Sequence, residues 1–563
     1  LFYRLERVPI RAVAFSRVPT EVEQVNFNIA DLFESLADAI GERDALVCGS
    51  QRLTFRALDE RANRLAHYLE SRGVGAGDHV GMYLFNCAEF LEGMLAAFKL
   101  RAVPININYR YVADELRYML DNADLAALIY QREFAPVVRE VAGEFPLLRV
   151  LIHVEDDSRA DLGTLETTTF EQAVVAGRPE RGFPSRSDDD LYIIYTGGTT
   201  GMPKGVMWRH GDVFFAGLQG GNPGGTPISK PEELAELARQ KNPAMVTMPV
   251  APFIHGAAQW AALIGMFGGG KVVVQPGRSM NPALIWELVA RERVNLMTIV
   301  GDAMARPLAS ELAKQPGRYD TSSLIVIGSA GAVFSESVKD ELKKHLSNVF
   351  FIDSFGSTES GHTGSMTATR SVSGSGHPRF QMTENVTVLD DAHRKVVPGS
   401  GVMGMLARKG RLPVGYYKDE KKTKDTFVEV DGERWVIPGD MATLDADGMI
   451  TVFGRGAVCI NSGGEKIFPE EVEEVLKAHP DVEDAIVVGV PDERWGQRVA
   501  AVVQPRTGRE PDDASIDAYC RKHIAGYKVP KDIYRVGRVQ RQPSGKPDYK
   551  WAKAVATGEI PQD

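Results

Sequence analysis

Cysteine is scarce in this sequence: four residues, at positions 48, 87, 459 and 520, in a chain of 563. None forms a CxxC pair and the spacing fits no zinc pattern, which excludes a disulfide scaffold and a zinc module. Four reduced thiols in a cytoplasmic protein is the reading that remains. Basic charge is also short. Lys and Arg number 65 against 75 Asp and Glu, a net charge of −10. The basic stripe of a nucleic-acid binder is missing, and no nucleic-acid partner is expected. Long apolar runs are missing too. The longest stretch without Asp, Glu, Lys or Arg, residues 242–270, is broken by three prolines and five glycines. A membrane span needs about 20 predominantly apolar residues. The stretch therefore reads as a buried helix within a domain, and no integral span is expected. No fixed-period repeat is visible, which excludes a solenoid. The opening LFYRLERVPIRAVAFSRVP carries four arginines with no apolar h-region behind it. A start at Leu1 reads as a removed or altered N-terminus.

What is present is ordinary except for glycine. Apolar residues make up 44% and charged residues 25%, as in a soluble globular protein. The length implies at least two domains. Glycine counts 55 of 563, above the typical ~7%, and points to turns or to backbone held close to a ligand.

The first half alternates helical and strand patterns. Thr54 reads as an N-cap, with Phe55, Leu58, Ala62, Leu65 and Leu69 at helical spacing and Gly73 as the stop. DHVGMYLF reads as a strand, AEFLEGMLAAFKL as a helix, and ADLAALIY and DDLYIIY as strands. Such alternation implies parallel sheets covered by helices. Residues 371–376 are Ser/Gly-rich and read as a loop. Near Gly454–Arg455–Gly456 the pattern changes, from the hairpin-like DADGMITVFG to a helix, two strands and a helix. A tail of that length suits a small α+β domain.

The strand at 189–195 runs into Thr196-Gly-Gly-Thr-Thr-Gly-Met-Pro-Lys204-Gly205. Glycines let backbone N–H groups approach phosphate oxygens, threonines add donors and Lys204 adds a point charge. A Walker A loop requires Ser or Thr after its lysine. Here Gly205 follows, so the loop reads as a phosphate cradle of another kind, formed by Thr196, Gly197, Gly198, Thr199, Thr200 and Lys204.

This loop closely resembles the phosphate loop of the adenylate-forming superfamily: acyl-CoA synthetases, adenylation domains and luciferases. Further segments resemble that family's motifs in its order: APFIHG (251–256), SAGAVFS (329–335), DSFGSTE (353–359), GYYKDEKKT (415–423), WVIPGD (435–440), GRGAVCINSGGEKIFPEEVE (454–473) and PSGKP (543–547). The fold implied is α/β. A large N-terminal domain of αβ-layered sheets with a β-barrel-like subdomain spans 1–456, and a small mobile α+β domain spans 457–563.

The reaction implied has two steps. A carboxylate attacks the α-phosphorus of ATP to give acyl-AMP and pyrophosphate, and coenzyme A then displaces AMP. ATP, Mg²⁺ and coenzyme A are the cofactors and partners expected beside a small carboxylic acid, and a homodimer is compatible with the sequence. By the same resemblance Glu359 is the Mg²⁺ ligand and Thr358 a donor to the α-phosphate. Phe355 stacks on adenine where the family has tyrosine. Asp353, Gly331, Ala332 and Gly356 border the nucleotide, and Val452 is placed with them. Asp440 holds the ribose hydroxyls, and Pro438 replaces a threonine common two residues earlier. Arg455 contacts ribose or phosphate. Lys546 bridges the acyl carboxylate and the α-phosphate as the catalytic lysine. Gly463 and Gly464 line the coenzyme A path. Ala457 marks the hinge, although that position and Val458 usually carry charge. His255, Gly256, Gln259 and Trp260 line the acyl pocket, with His255 beside the reacting carboxylate.

No acidic residue lies between Pro249 and Trp260, where amino-acid adenylation domains place a partner for the substrate ammonium. That favours an acid lacking an α-amine. The stretches around 195–210 and 460–499 look most like a bacterial subgroup of fatty-acyl and steroid-side-chain CoA ligases. The leading expectation is an acyl-CoA ligase. An acyl-AMP ligase serving a carrier protein or an amine is the alternative. A non-catalytic binding protein is disfavoured by the presence of Lys546, Asp440 and Glu359.

Overall fold

The computed structural model describes residues 25–196, 202–367, 379–462, 465–492, 495–524, 526–542 and 545–560. The Ser/Gly-rich segment 371–376 and the glycines at 197, 198, 463 and 464 lie outside them, as do Thr199 and Thr200.

Two eight-stranded sheets form the bulk of the molecule. In the first, the parallel strands Asp44–Cys48, Val272–Val274, Thr247–Pro249, Leu296–Ile299, Val326–Ala330 and Phe350–Ser357 lie side by side, with an antiparallel strand at each edge. In the second, Thr168–Thr169, Val150–Val154, Leu125–Gln131, His79–Tyr83, Val103–Asn106 and Leu191–Thr196 run parallel. The sheet then turns antiparallel through Lys204–Arg209 and Gly415–Tyr416. The helix Phe55–Ser71 starts as the sequence predicts: the Thr54 side chain accepts from the Ala57 N–H, and Gly73 follows its end. The helix Ala88–Lys99 is buried along nearly its whole length. Its lack of a polar face reflects cover on all sides.

The uncharged stretch 242–270 holds the buried helix expected, Gly256–Phe267, but also the sheet strand Thr247–Pro249. Pro249 and Pro252 separate the two, because proline cannot continue either ladder. Among the described residues no helix is long and apolar enough to cross a membrane.

A seven-stranded antiparallel sheet follows and packs around its own core of Phe380, Val388, Leu406, Ala442, Ile450 and Val452. The last sheet has five strands, Glu465–Ile467, Ile460–Ser462, Gly496–Pro505, Val482–Asp492 and Asp532–Arg535. Along its two long strands alternate residues face opposite ways. Ala485, Val487, Val499 and Ala501 pack under the helices Pro469–Ala478 and Asp513–His523. Ile486, Val488, Ala500 and Val502 pack under the helix Tyr549–Ala556. Period-2 apolar runs in the sequence thus mark a sheet covered on both faces.

Candidate active site

Four motif segments converge at the ends of the parallel strands, where open α/β sheets place their ligands. The phosphate-loop segment is the connection of a hairpin whose ends stay adjacent, with Thr196 opposite Lys204 in register. Lys204 forms an ion pair with Asp419, the N-cap of the helix Glu420–Thr426. The Lys204 ammonium and the Lys422 backbone N–H hold the Asp419 carboxyl below the usual carboxylate range. The sequence expectation gave Lys204 no resident partner, so the pairing with Asp419 adds to it.

Two buried or half-buried asparagines fix the APFIHG segment against this hairpin. Asn106 donates to the Tyr195 carbonyl (2.8 Å) and the Ile254 carbonyl (2.6 Å) and accepts from the Tyr195 N–H. Asn86 donates to Ala251 O at 3.1 Å and accepts from Phe253 N at 2.8 Å. Sequence reasoning missed both, because a lone asparagine at a strand end carries no spacing signal.

His255 is the N-cap residue of Gly256–Phe267. A methyl placed on Gly256 would lie 3.2 Å from the Ile194 side chain and 3.6 Å from the Thr358 hydroxyl. The strand before the phosphate-loop segment, the helix expected to line the acyl pocket and the DSFGSTE turn therefore meet at one point. The Thr358 carbonyl accepts from the Trp208 indole N–H (2.9 Å), and Trp208 packs edge-on against Trp260. Trp260 in turn lies against Gly217.

Gln259 behaves differently from a free pocket-lining amide. It is buried, its amide N–H donates to the Phe253 carbonyl at 2.5 Å, and the Tyr192 hydroxyl donates to its Oε1. One polar end pins the helix to the sheet through Tyr192 and the other to the APFIHG segment through Phe253.

Next along the turn, the Glu359 carboxylate accepts from the Tyr416 hydroxyl at 3.0 Å. Among the described residues no cluster of three or more His, Cys, Asp or Glu stands ready for a metal. A single carboxylate suits Mg²⁺, which keeps waters and takes most of its remaining ligands from substrate phosphates. Gly356 follows a bulge in the pairing of Phe350–Ser357 with its antiparallel neighbour Gly361–Thr367, which continues through Ser357 opposite Gly361.

Where the nucleotide is expected, Ser329 and Asp353 are paired in register on neighbouring parallel strands. Burial pushes the Asp353 carboxyl above its ordinary value even though Lys339 lies 2.7 Å away. This ion pair qualifies the sequence expectation that Asp353 simply borders the ligand. Phe355 stacks on Phe380, ring centres 5.7 Å apart, and packs on the core that contains Val452. One face of Phe355 is thus structural, and Val452 sits buried in the support behind it. Asp440 is 8% exposed and lies in register opposite Arg455 on the neighbouring strand. Gly456–Val458, which includes Ala457, forms the 3-10 turn that leaves this hairpin.

The turn SAGAVFS places Gly331 in the left-handed region, φ +82°, followed by Ala332. A methyl added to Gly331 would lie 3.6 Å from the Cε of Lys546. The Lys546 turn is closed by Gln542 N–H to Lys546 O (2.9 Å) and Gly545 N–H to Gln542 O (2.8 Å). It rests on Val300 and Ala303 through Gly545. The lysine nearest the C-terminus in the motif set therefore reaches the turn expected to border the nucleotide, more than two hundred positions earlier in the chain.

Beside the site, an open groove of about 570 Å³ lies between the end of the helix His210–Ala216 and the strand Met403–Lys409, lined by Phe215 and Asn385 and by the charged Asp212, Arg408, Lys409 and Arg411. Arg408 donates to the Ser360 carbonyl (2.5 Å) and the Arg411 carbonyl (3.0 Å). Burial lowers the pKa of its guanidinium to about 10.

The family model for AMP-binding enzymes matches residues 33–417, and that for the AMP-binding enzyme C-terminal domain matches 471–546. The chain belongs to the AMP-binding enzyme family. Among curated relatives of this AMP-binding enzyme is a medium/long-chain-fatty-acid–CoA/3-oxocholest-4-en-26-oate–CoA ligase of Mycolicibacterium smegmatis. It is 48% identical over 542 residues, spanning 95% of this chain and 97% of the relative. A 3-oxocholest-4-en-26-oate–CoA ligase of Rhodococcus rhodochrous is 47% identical over the same shares of each chain. Among solved structures, the anthranilate CoA ligase AuaEII in complex with anthranoyl-AMP superposes with a TM-score of 0.81 at 23% identity, covering 95% of this chain and 98% of that one. ATP-bound MatB from Rhodopseudomonas palustris reaches 0.77 at 24% identity, covering 94% and 98%. At that identity the likeness speaks for the fold.

Proposed function

We propose that this AMP-binding enzyme is an ATP-dependent acyl-CoA ligase for carboxylic acids with a long or bulky apolar tail, a fatty acid or a steroid side chain. The observation that carries the reading is the approach of Lys546 to the Gly331 turn. It brings a cation from the C-terminal part to the nucleotide side of the site. The relatives' activities support the substrate class.

In the first step the carboxylate oxygen bonds to the α-phosphorus of ATP and pyrophosphate leaves. Two anions meet, so positioning and charge neutralisation dominate the barrier. Lys546 bridges the acyl carboxylate and the α-phosphate, and Thr358 donates to the α-phosphate. Thr196, Thr199, Thr200, the loop glycines and Lys204 hold the outgoing phosphates. Glu359 would hold Mg²⁺, which would supply charge neutralisation at the phosphates. Phe355 offers its open face to adenine, Gly331, Ala332, Asp353 and Gly356 border it, and Asp440 and Arg455 hold the ribose. In the second step the coenzyme A thiolate attacks the acyl carbon and AMP leaves. The segment beyond Ala457 rotates so that Gly463–Gly464 meets the pantetheine arm. His255, Gly256 and Trp260 face the acyl chain. The use of ATP and coenzyme A suits a cytoplasmic setting.

The test is AMP release and thioester formation across fatty, aromatic and steroidal acids, with and without coenzyme A. The proposal expects AMP and thioester together, only with coenzyme A, and most with fatty or steroidal acids. Acyl-AMP that accumulates without conversion by coenzyme A would overturn it in favour of an acyl-AMP ligase.

A further inference from the structure

Between the helix Gly301–Lys314 and the C-terminal sheet lies a set of buried and half-buried charges that, Glu473 apart, none of the motifs contains. Lys477 on the helix Pro469–Ala478 is 2% exposed and stands 3.9 Å from Asp302 and 4.0 Å from Glu473. Arg306, 6% exposed, stands 3.8 Å from Glu483. Glu483 is also 3.8 Å from Arg506, which reaches Glu341 at 3.4 Å. Most of these separations exceed hydrogen-bond length. Correspondingly, Asp302 Oδ2, both Nη atoms of Arg306, Glu473 Oε2 and Arg506 Nε are buried without a hydrogen-bond partner. Buried charges of this kind cost free energy that the attraction across a slack pair only partly offsets. Such groups call for an explanation in a native protein.

Asp302 gives one. Its Oδ1 accepts from the Ser335 N–H at 2.9 Å, and its own N–H donates to the Val333 carbonyl at 2.9 Å. One oxygen of this carboxylate therefore fixes the Gly331–Ser335 turn, while the other faces Lys477. The same helix end, Val300 and Ala303, supports the Lys546 turn.

We infer that Asp302, Arg306, Lys477 and Glu483 are positioning residues that hold Lys546 at the Gly331 turn for acyl-AMP formation and release it for the second step. The inference rests on the two-step reaction proposed above. The ion pairs select the docked orientation by charge, because like charges meet if the C-terminal part is displaced by one helix turn. Their slack geometry keeps that orientation shallow. A tight, fully hydrogen-bonded interface would trap the first-step arrangement.

Asp302→Asn keeps the Oδ1 acceptor for Ser335 and removes only the charge. It is expected to slow acid-dependent ATP–pyrophosphate exchange by about tenfold. Thioester formation from supplied acyl-AMP should stay within about twofold, which also serves as the folding control. Arg306→Glu is expected to act in the same direction, and Arg306→Lys, which keeps the charge, to retain most of the rate. Unchanged exchange in both Asp302→Asn and Arg306→Glu, equal loss in both half-reactions, or as large a loss in Arg306→Lys as in Arg306→Glu overturns the inference. Absence of exchange by the wild type with every acid tried would instead sink the proposed function. A fluorescence-transfer pair between the helices Gly301–Lys314 and Asp513–His523 would then read the orientation directly, and an Asp302→Asn signal identical to wild type would overturn the inference.

Discussion

The molecule contains two kinds of buried charge network, and they are built differently. In the N-terminal layers Lys99, fully buried, lies 2.6 Å from Glu34 and 2.7 Å from Asp59. Arg186 and Arg181 close the set on Glu34 and Asp59, each at 2.9 Å. Glu292 is held in the same way by Lys271 (2.7 Å) and Arg52 (2.8 Å). Every one of these contacts is a charge-assisted hydrogen bond. At the C-terminal interface the pairs around Asp302, Arg306, Lys477 and Glu483 sit at 3.8–4.0 Å and keep attraction without the hydrogen bonds. The first kind fixes layers that stay together. The second suits surfaces that part between the two steps proposed above.

The comparison breaks most visibly at Lys99. Lys99→Met leaves Glu34 and Asp59 short of a cation in a dry site, and urea unfolding should show a loss of about 3–5 kcal/mol. A loss below about 1 kcal/mol would place this network with the slack one. Next, Lys546→Ala removes the group that the slack interface carries. We expect a drop of about 10²–10³ in acyl-AMP formation, with thioester formation from supplied acyl-AMP preserved. Equal losses in both half-reactions would refute the assignment.

Glu292 sharpens the contrast through pH. Burial by itself raises its carboxyl, but Lys271, Arg52 and Arg291 outweigh that and hold it down to about 2. A depressed carboxylate contributes stability that is present above its unfolded value of about 4.3 and is lost as pH falls through the folded value. Stability of the wild type should therefore fall between about pH 4.5 and 2, and Glu292→Gln should flatten that limb. The variant should lose on the order of 2 kcal/mol at neutral pH. Identical acid limbs in urea melts at stepped pH would count against the tight-network reading.

Gly301 tests the join between the regions. It has φ +52°, and a methyl there would lie 2.3 Å from the Val333 carbonyl. Gly301→Ala should cost about 1–2 kcal/mol in thermal unfolding and weaken ATP binding by shifting the Gly331 turn. ATP affinity unchanged by calorimetry would uncouple the two. The smallest effect is expected at Lys477→Met: a change in global stability within about 1 kcal/mol, but a lower ratio of the first to the second half-reaction. A large stability loss with an unchanged ratio would make Lys477 purely structural.

The parts legible in the sequence were those with a local rule. Thr54 announced its helix by capping chemistry, the long strands of the C-terminal sheet by alternation, and the hairpin before Gly456 by its turn residues. The site was legible where motif segments held both the residues and their spacing, from Thr196 to Lys546. The rest depended on meetings between distant elements. Asn86 and Asn106 clamp APFIHG from other strand ends, Tyr416 donates to Glu359, and Lys339 occupies Asp353. Gln259, expected in the pocket, is spent on Tyr192 and Phe253. Periodicity says which face of a helix is buried, but not which charge on another helix it will face. The slack network was invisible for that reason.

Lys204 has a resident counter-ion in Asp419, and this bears on how a triphosphate enters. Under the proposed function, a phosphate arriving at Lys204 would displace a carboxylate rather than fill an empty cationic hole. Binding there would be an exchange of anions, its affinity set by the difference between two partners. Asp419 also caps the helix Glu420–Thr426 through the Lys422 N–H, so its carboxylate keeps a donor when the lysine turns away. The Lys204–Asp419 pair would then favour polyphosphate over a lone monoanion, because the incoming group must displace a carboxylate already in place.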